Sequence, residues 1–185
     1  MSDWYTRQSC RLCDSKDIEV ALPLKKSPLC DAYLEQPKKQ EFYNLNLCLC
    51  NECGFIQIDT VVNPETIYKD YIYVTTSSSG LQKHFKEYAL EVCSFLKLDD
   101  SNLTVDIGSN DGTLLGFFKQ RGHNVLGIEP SVKAANSANE NGIETLSEFF
   151  DIDLANTITG QYGKASLITI NNLFANVDNL NLLYF

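Results

Sequence analysis

The sequence predicts an α/β chain in two parts: a small N-terminal β module built on paired cysteines, then a parallel, doubly wound sheet that stops short of completion. Three observations carry this. Cysteines stand as Cys10-x-x-Cys13 and Cys50-x-x-Cys53 near the start. Further on, a strand-like run at 103–107 enters the turn Gly108-Ser109-Asn110-Asp111-Gly112, and a helix-like run at 113–120 leaves it. Strand, glycine-rich turn and helix is the plan by which a doubly wound sheet offers backbone N–H groups to a ligand. The next strand, 124–128, is followed by Glu129, which lies 21 residues after Gly108, close to the interval at which an acid meets ribose hydroxyls. The divisions drawn are 1–62 for the cysteine module, 63–102 for a tyrosine-rich linker and helix, and 103–185 for the sheet.

The cysteine module comes first. Each Cys-x-x-Cys turn can aim two sulfurs at one point, and two such turns complete a tetrahedral S4 site of the kind that holds zinc. The 36 residues between Cys13 and Cys50 exceed the compact zinc pattern, so a hairpin or loop is expected there. Four thiolates leave no open position, which makes the metal structural; free or redox thiols are the alternative reading. Cys30 reads as a small buried loop residue, Cys48 as a strand residue and Cys93 as core. The runs 43–49 and 55–59 alternate enough to pair as strands beside the second turn.

Residues 68–80 place Tyr68, Tyr71 and Tyr73 before a hydroxyl run, either as a linker with aromatic anchors or as a lid offering phenols. A helix follows at 81–98, with Leu81, Phe85, Tyr88, Ala89, Val92, Phe95 and Leu96 at threes and fours and Ser78 or Ser79 as cap. His84 reads as a surface or lid-packing residue and His123 as a turn residue. Beyond strand 124–128 come a helix at 131–141, a short strand at 143–146, a helix region to 158 and a fourth strand at 165–170. Residues 171–177 then leave the C-terminal end of that strand, where open α/β sheets place their sites.

The turn departs from G-x-G-x-x-G, and Asp106 and Asp111 bracket it. Two carboxylates repel a pyrophosphate but suit an ammonium and a sulfonium, which points to S-adenosylmethionine (SAM). A dinucleotide, or a turn that needs glycine for steric reasons alone, are the other readings.

The net charge of −9 and the lack of a Lys/Arg-rich run argue against nucleic acid and anionic membrane as partners. No apolar run approaches the roughly 20 residues that span a bilayer. Residues 1–8 carry no export pattern, so a cytoplasmic location with reduced thiols is expected.

Taken in order, these features resemble the sugar C-methyltransferases. The resemblance rests on Cys10/Cys13 and Cys50/Cys53-Gly54, Pro28-Leu29 with Tyr33-Leu34, Tyr71-Ile72-Tyr73 to Ser77 followed by His84, residues 106–112, and Gly127-Ile128-Glu129-Pro130-Ser131. It implies a zinc-binding domain followed by a class I, Rossmann-like methyltransferase domain that acts with SAM on a nucleotide-linked (dTDP-type) keto-deoxysugar. It also implies a base that removes the proton alpha to the ketone and a donor that steadies the oxyanion. Tyr71 or Tyr73 would handle the sugar. Asp106, Gly108 and Asn110 would face the methionine part of SAM, within a loop completed by Ser109, Asp111 and Gly112. Glu129 would take the ribose hydroxyls, and Asn172 would line the site. Asn176 stands where the family's pattern has a histidine. With four parallel strands, about three fewer than such a sheet needs, the chain reads as truncated or split, and its unfinished edge as a surface for association. The competing expectation is a non-catalytic zinc- and SAM-binding remnant or interaction module.

Overall fold

The computed structural model describes residues 3–30, 34–68, 71, 73–99 and 101–180. Tyr33, Ile72 and the apolar run 181–185 lie outside the described residues. The chain divides into two units, residues 1–69 with 178–185, and residues 70–177.

In the first unit β1 (Trp4–Thr6) pairs antiparallel with β5 (Thr60–Val62). β2 (Ile18–Leu22), β3 (Leu47–Cys50) and β4 (Ile56–Ile58) form a second antiparallel sheet in the order β2-β3-β4. The expected strands at 43–49 and 55–59 are therefore present but shorter, and they pair with each other as expected. Alternation in β3 buries Cys48 and Cys50 and leaves Leu47 and Leu49 half-buried, the period-2 signature of a one-sided strand. The long insertion between the cysteine pairs holds β2 and a loop pinned by the Ser27–Tyr43 bridge. Cys30, expected to be buried, is exposed; it sits in that loop, outside any strand that would turn it inward. Tyr5, Arg7 and Arg11 converge on Asp178, at 2.7, 3.0 and 2.8 Å. This fastens the later segment to the module.

α1 (Pro64–Tyr68) begins at a proline, whose missing N–H costs nothing in a first turn.

In the second unit, four parallel strands run in the order β8-β7-β6-β9: β6 (Leu103–Ile107), β7 (Asn124–Ile128), β8 (Thr145–Leu146) and β9 (Leu167–Thr169). All five residues of β6 are buried, as a central strand covered on both faces requires. The crossovers are α3 (Thr113–Lys119), α4 (Val132–Glu140) and α5 (Ile152–Tyr162). The chain steps outward from β6 through β7 to β8, then returns to β9 on the other side of β6. That reversal puts the switch point at the C-terminal end of β6, where the glycine-rich turn stands. The core joins Val105, Ile107, Leu126, Ile128, Leu154 and Ile158.

The long helix α2 (Ser79–Leu96) begins two residues earlier and ends two earlier than its periodicity suggests. Ser78 Oγ accepts the Leu81 N–H at 3.3 Å, the expected cap. Lys97, left-handed at φ 53°, ends the helix. Its apolar stripe of Phe85, Ala89 and Cys93 packs on Leu114 and Phe118 of α3, so Cys93 is core as expected. His123, expected as a turn residue, is instead buried. It precedes β7 and is drawn inward by Cys93 and by Thr104 of β6.

Candidate functional site

The glycine-rich turn closes on three left-handed residues, Gly108 (φ 76°), Asn110 (φ 51°) and Gly112 (φ 73°). A Cβ at Gly112 would lie 3.0 Å from Ile143 and 3.1 Å from Ala138, so conformation and space both require glycine. The N–H groups of Gly108 and Ser109 bond the Ile128 carbonyl at 2.8 and 3.1 Å. Ser109 turns its hydroxyl inward, against Gly127: a Cβ on Gly127 would approach Ser109 Oγ to 2.5 Å. The Ser109 N–H and carbonyl are taken by Ile128 and Gly112, and its buried hydroxyl has no hydrogen-bond partner among the described residues.

Two acids sit at the C-terminal ends of β6 and β7. Asp106 is buried and its Oδ1 accepts the Thr169 hydroxyl at 2.6 Å. Burial pushes its carboxyl up to about 7; the Thr169 bond opposes this and the charge of Glu129 adds to it. Glu129 is also raised by burial, against the backbone N–H groups of Ser131 and Asn110. Those N–H groups bond Oε1 and Oε2 at 2.8 and 2.9 Å. Each oxygen keeps a lone pair for a further donor such as a ribose hydroxyl.

Asp111 serves differently. Its Oδ1 accepts from the N–H and hydroxyl of Thr113 at 3.2 and 2.6 Å, and its Oδ2 from the Thr76 N–H at 2.9 Å. Asn110 Oδ1 accepts the Thr75 N–H at 2.9 Å, and its Nδ2 donates to the Tyr73 carbonyl at 2.8 Å. The two side chains therefore strap the segment before α2, with its 3₁₀ turn Thr75–Ser77, to the glycine-rich loop. Tyr73 is carried to the loop by this strap, with Tyr71 at a ring separation of 6.4 Å. Tyr88 of α2 feels the charge of Asp106, which together with burial, the larger cause, raises its phenol.

Beyond β9, Asn172 is left-handed (φ 55°) and its carbonyl accepts Asn176 Nδ2 at 3.0 Å. Asn172 and Asn176 are both exposed. Leu173 covers Gly108, within 3.3 Å of where a Cβ would stand. The neighbouring Asn171 carries a buried Nδ2 without a hydrogen-bond partner among the described residues. A buried orphan donor beside the switch point marks a place for an acceptor from outside the protein. Asn171, Tyr88 and Thr169 are the residues that sequence reasoning missed. In the sequence they are a loop amide, a helix-stripe aromatic and a strand threonine.

In the N-terminal unit the sulfurs of Cys10, Cys13, Cys50 and Cys53 all lie within 4.8 Å of one another. The Cys10–Cys53 and Cys13–Cys50 separations are both 3.6 Å. Four sulfurs about 2.3 Å from one tetrahedral ion stand about 3.8 Å apart, while a disulfide spans about 2.05 Å. The spacing therefore fits zinc. Cys48, though buried, stands outside the cluster. Burial raises the Cys10 thiol, but the N–H groups of Cys13 and Leu12 and the sulfurs of Cys53 and Cys13 bring it down to about 7. The Ser15 N–H lowers Cys13, yet Cys53, burial, Cys10 and Cys50 push it up to about 12. Four thiolates at this spacing repel one another, so a full set of four calls for a cation at their centre.

Residues 10–68 match the zinc binding domain family Methyltransf_13. Over 175 residues the chain is 25% identical to the C-methyltransferase NovU of Streptomyces niveus, covering 93% of this chain and 42% of that relative's length. Among solved structures it is similar to the plantazolicin methyltransferase BpumL in complex with SAH, at TM-score 0.46, 19% identity, and 56% and 42% of the two chains. It is also similar to the magnesium protoporphyrin IX methyltransferase ChlM of Synechocystis PCC 6803 with bound SAM, at TM-score 0.41, 16% identity, and 52% and 46% coverage.

Proposed function

We propose that this chain, a member of the family that joins an N-terminal zinc-binding domain to a class I methyltransferase domain, binds SAM at the 106–112 loop and serves C-methylation of a nucleotide-linked keto-deoxysugar. The observation that supports this best is the pair of buried carboxylates, Asp106 and Glu129, at the switch point beside a left-handed glycine turn. Buried anions repel a pyrophosphate and attract a cation, which sets SAM above a dinucleotide. Bound there, SAM would supply an electrophilic methyl group.

The chain's own residues divide the remaining work. Asp106 attracts the positive charge, Glu129 and the Asn110 N–H fix the loop, and Asn171 and Asn172 border the site. Tyr71 and Tyr73 offer phenols to the sugar. Zinc, held by Cys10, Cys13, Cys50 and Cys53, closes the N-terminal module and takes no part in the chemistry, since its four thiolates leave no position open. The match to NovU supports a C-methyltransferase reading, and the sugar nucleotide follows from the motif resemblance.

Asn176 favours the second reading, a zinc- and SAM-binding module without transfer activity, because an amide cannot take a proton from carbon at neutral pH. β9 leaves its outer edge unpaired among the described residues, with Ile168 exposed. That edge is a surface for association with another chain. No helix among the described residues is long and apolar enough to cross a membrane.

The test is calorimetric titration of the zinc-loaded chain with SAM, followed by incubation with methyl-labelled SAM and a dTDP-linked 3-keto-deoxysugar. Binding together with label in the sugar supports the enzyme. Binding without transfer supports the module. A folded chain that binds no SAM refutes both.

A further inference from the structure

A second cluster of reactive groups lies at the other end of the sheet from the glycine-rich loop. His123 immediately precedes β7, and its two ring nitrogens face two different side chains. Nε2 stands 3.4 Å from Cys93 Sγ, and Nδ1 stands 3.4 Å from Thr104 Oγ1. All three residues are buried. Phe118 lies against the imidazole at 5.8 Å, which leaves the ring little freedom to turn. Cys93, His123, Ser94, Leu98, Gln120 and Arg121 line an open hollow of about 470 Å³. Cys93 and His123 therefore border this hollow together with Arg121.

We propose that Cys93, His123 and Thr104 form a nucleophile, base and orienting group, a thiol-modification site for a small acidic disulfide such as glutathione disulfide. In the Nδ1–H tautomer, His123 donates a hydrogen bond to Thr104 Oγ1 and turns the Nε2 lone pair to the Cys93 thiol, the order that activates a nucleophile. Arg121 supplies the charge that a peptide carboxylate seeks.

In the exchange, the Cys93 sulfur attacks one sulfur of the disulfide while its proton passes to Nε2. The S–S bond of the oxidant breaks as the mixed disulfide forms. The departing thiolate recovers the proton from His123. One Cys93 thiol and one glutathione disulfide thus give one mixed disulfide and one glutathione, and no further oxidant is needed.

None of these residues belongs to the loop site or the zinc cluster, so this site stands or falls independently of methyl transfer. The zinc-loaded chain is treated with iodoacetamide, and in parallel with glutathione disulfide, and occupancy is read cysteine by cysteine by peptide mass spectrometry. Cys48, also buried but bonded weakly to the Asn46 carbonyl in place of a histidine, serves as the internal reference. Cys93 is expected to react at least about tenfold faster than Cys48, and to lose that advantage in His123→Gln at unchanged zinc content and circular dichroism. Thr104→Val, which keeps the shape and removes the orienting oxygen, is expected to fall between the two. Cys93 reacting no faster than Cys48 in the parent overturns the proposal with no variant needed. Equal reactivity in a folded His123→Gln overturns it as well.

Discussion

Glu129 Oε2 accepts the backbone N–H of Asn110 at 2.9 Å, so the acid that follows β7 also holds the left-handed residue of the loop that follows β6. One carboxylate thereby joins the two strand ends that flank the switch point. Glu129→Ala removes this tie and leaves the buried Ser131 N–H and the part-buried Asn110 N–H without a partner. A loss of about 1–3 kcal/mol in stability is expected by urea denaturation, with SAM affinity down at least about tenfold by calorimetry. Unchanged affinity in a folded variant would remove Glu129 from the proposed site.

Asp106 makes the loop site sensitive to pH. Its folded pKa of about 7 lies above that of the unfolded chain, because burial disfavours the charge. Its stability contribution is therefore complete below the ordinary carboxylate range and is lost as pH rises through about 7. Asp106→Asn should gain stability relative to the parent between pH 5 and pH 8. Binding of a cationic ligand runs the other way: affinity for SAM should rise from pH 6 to pH 8 in the parent and stay flat in Asp106→Asn. Denaturation and calorimetry at the two ends of the range check both trends.

Gly127→Ala places a methyl 2.5 Å from Ser109 Oγ and 2.6 Å from Thr145 Oγ1. Both neighbours are hydroxyls of buried residues, so a cost of about 1–3 kcal/mol is expected. Gly112→Ala adds left-handed strain to its contacts with Ile143 and Ala138 and should cost about 2–4 kcal/mol. Thermal unfolding of the two variants ranks them.

The zinc cluster has its own outcome. Elemental analysis should find one zinc per chain, and Cys50→Ser should release it and loosen the N-terminal sheets, seen as new protease cleavage before residue 69. A metal-free chain that keeps those sheets protected counts against the zinc assignment.

Asn110→Ala tests the strap. The side chain holds the Thr75 N–H and the Tyr73 carbonyl, so its loss should raise hydrogen exchange at 73–77 while the β6 amides stay protected.

Local signals made much of this protein legible in its sequence. Cysteine spacing marked the S4 cluster, helical periodicity marked α2, and the run from strand 103–107 through the glycine turn to Glu129 marked the loop site. Each is carried by short motifs whose geometry is set locally, a Cys-x-x-Cys turn, a helical period or a strand-turn-helix, even where two such motifs lie far apart in the chain. The tertiary structure decided the rest. β1 and β5 are three residues each, too short to show a period, and exist only because they pair across more than fifty residues of chain. His123 is buried because Cys93 and Thr104 face it, and Cys30 is exposed in a loop outside any strand. Asp111 turned from expected ligand-facing acid to strap because Thr76, 35 residues earlier, supplied an N–H. Composition and spacing set which groups are present, while long-range hydrogen bonds and burial determined where each one points and whether it carries charge.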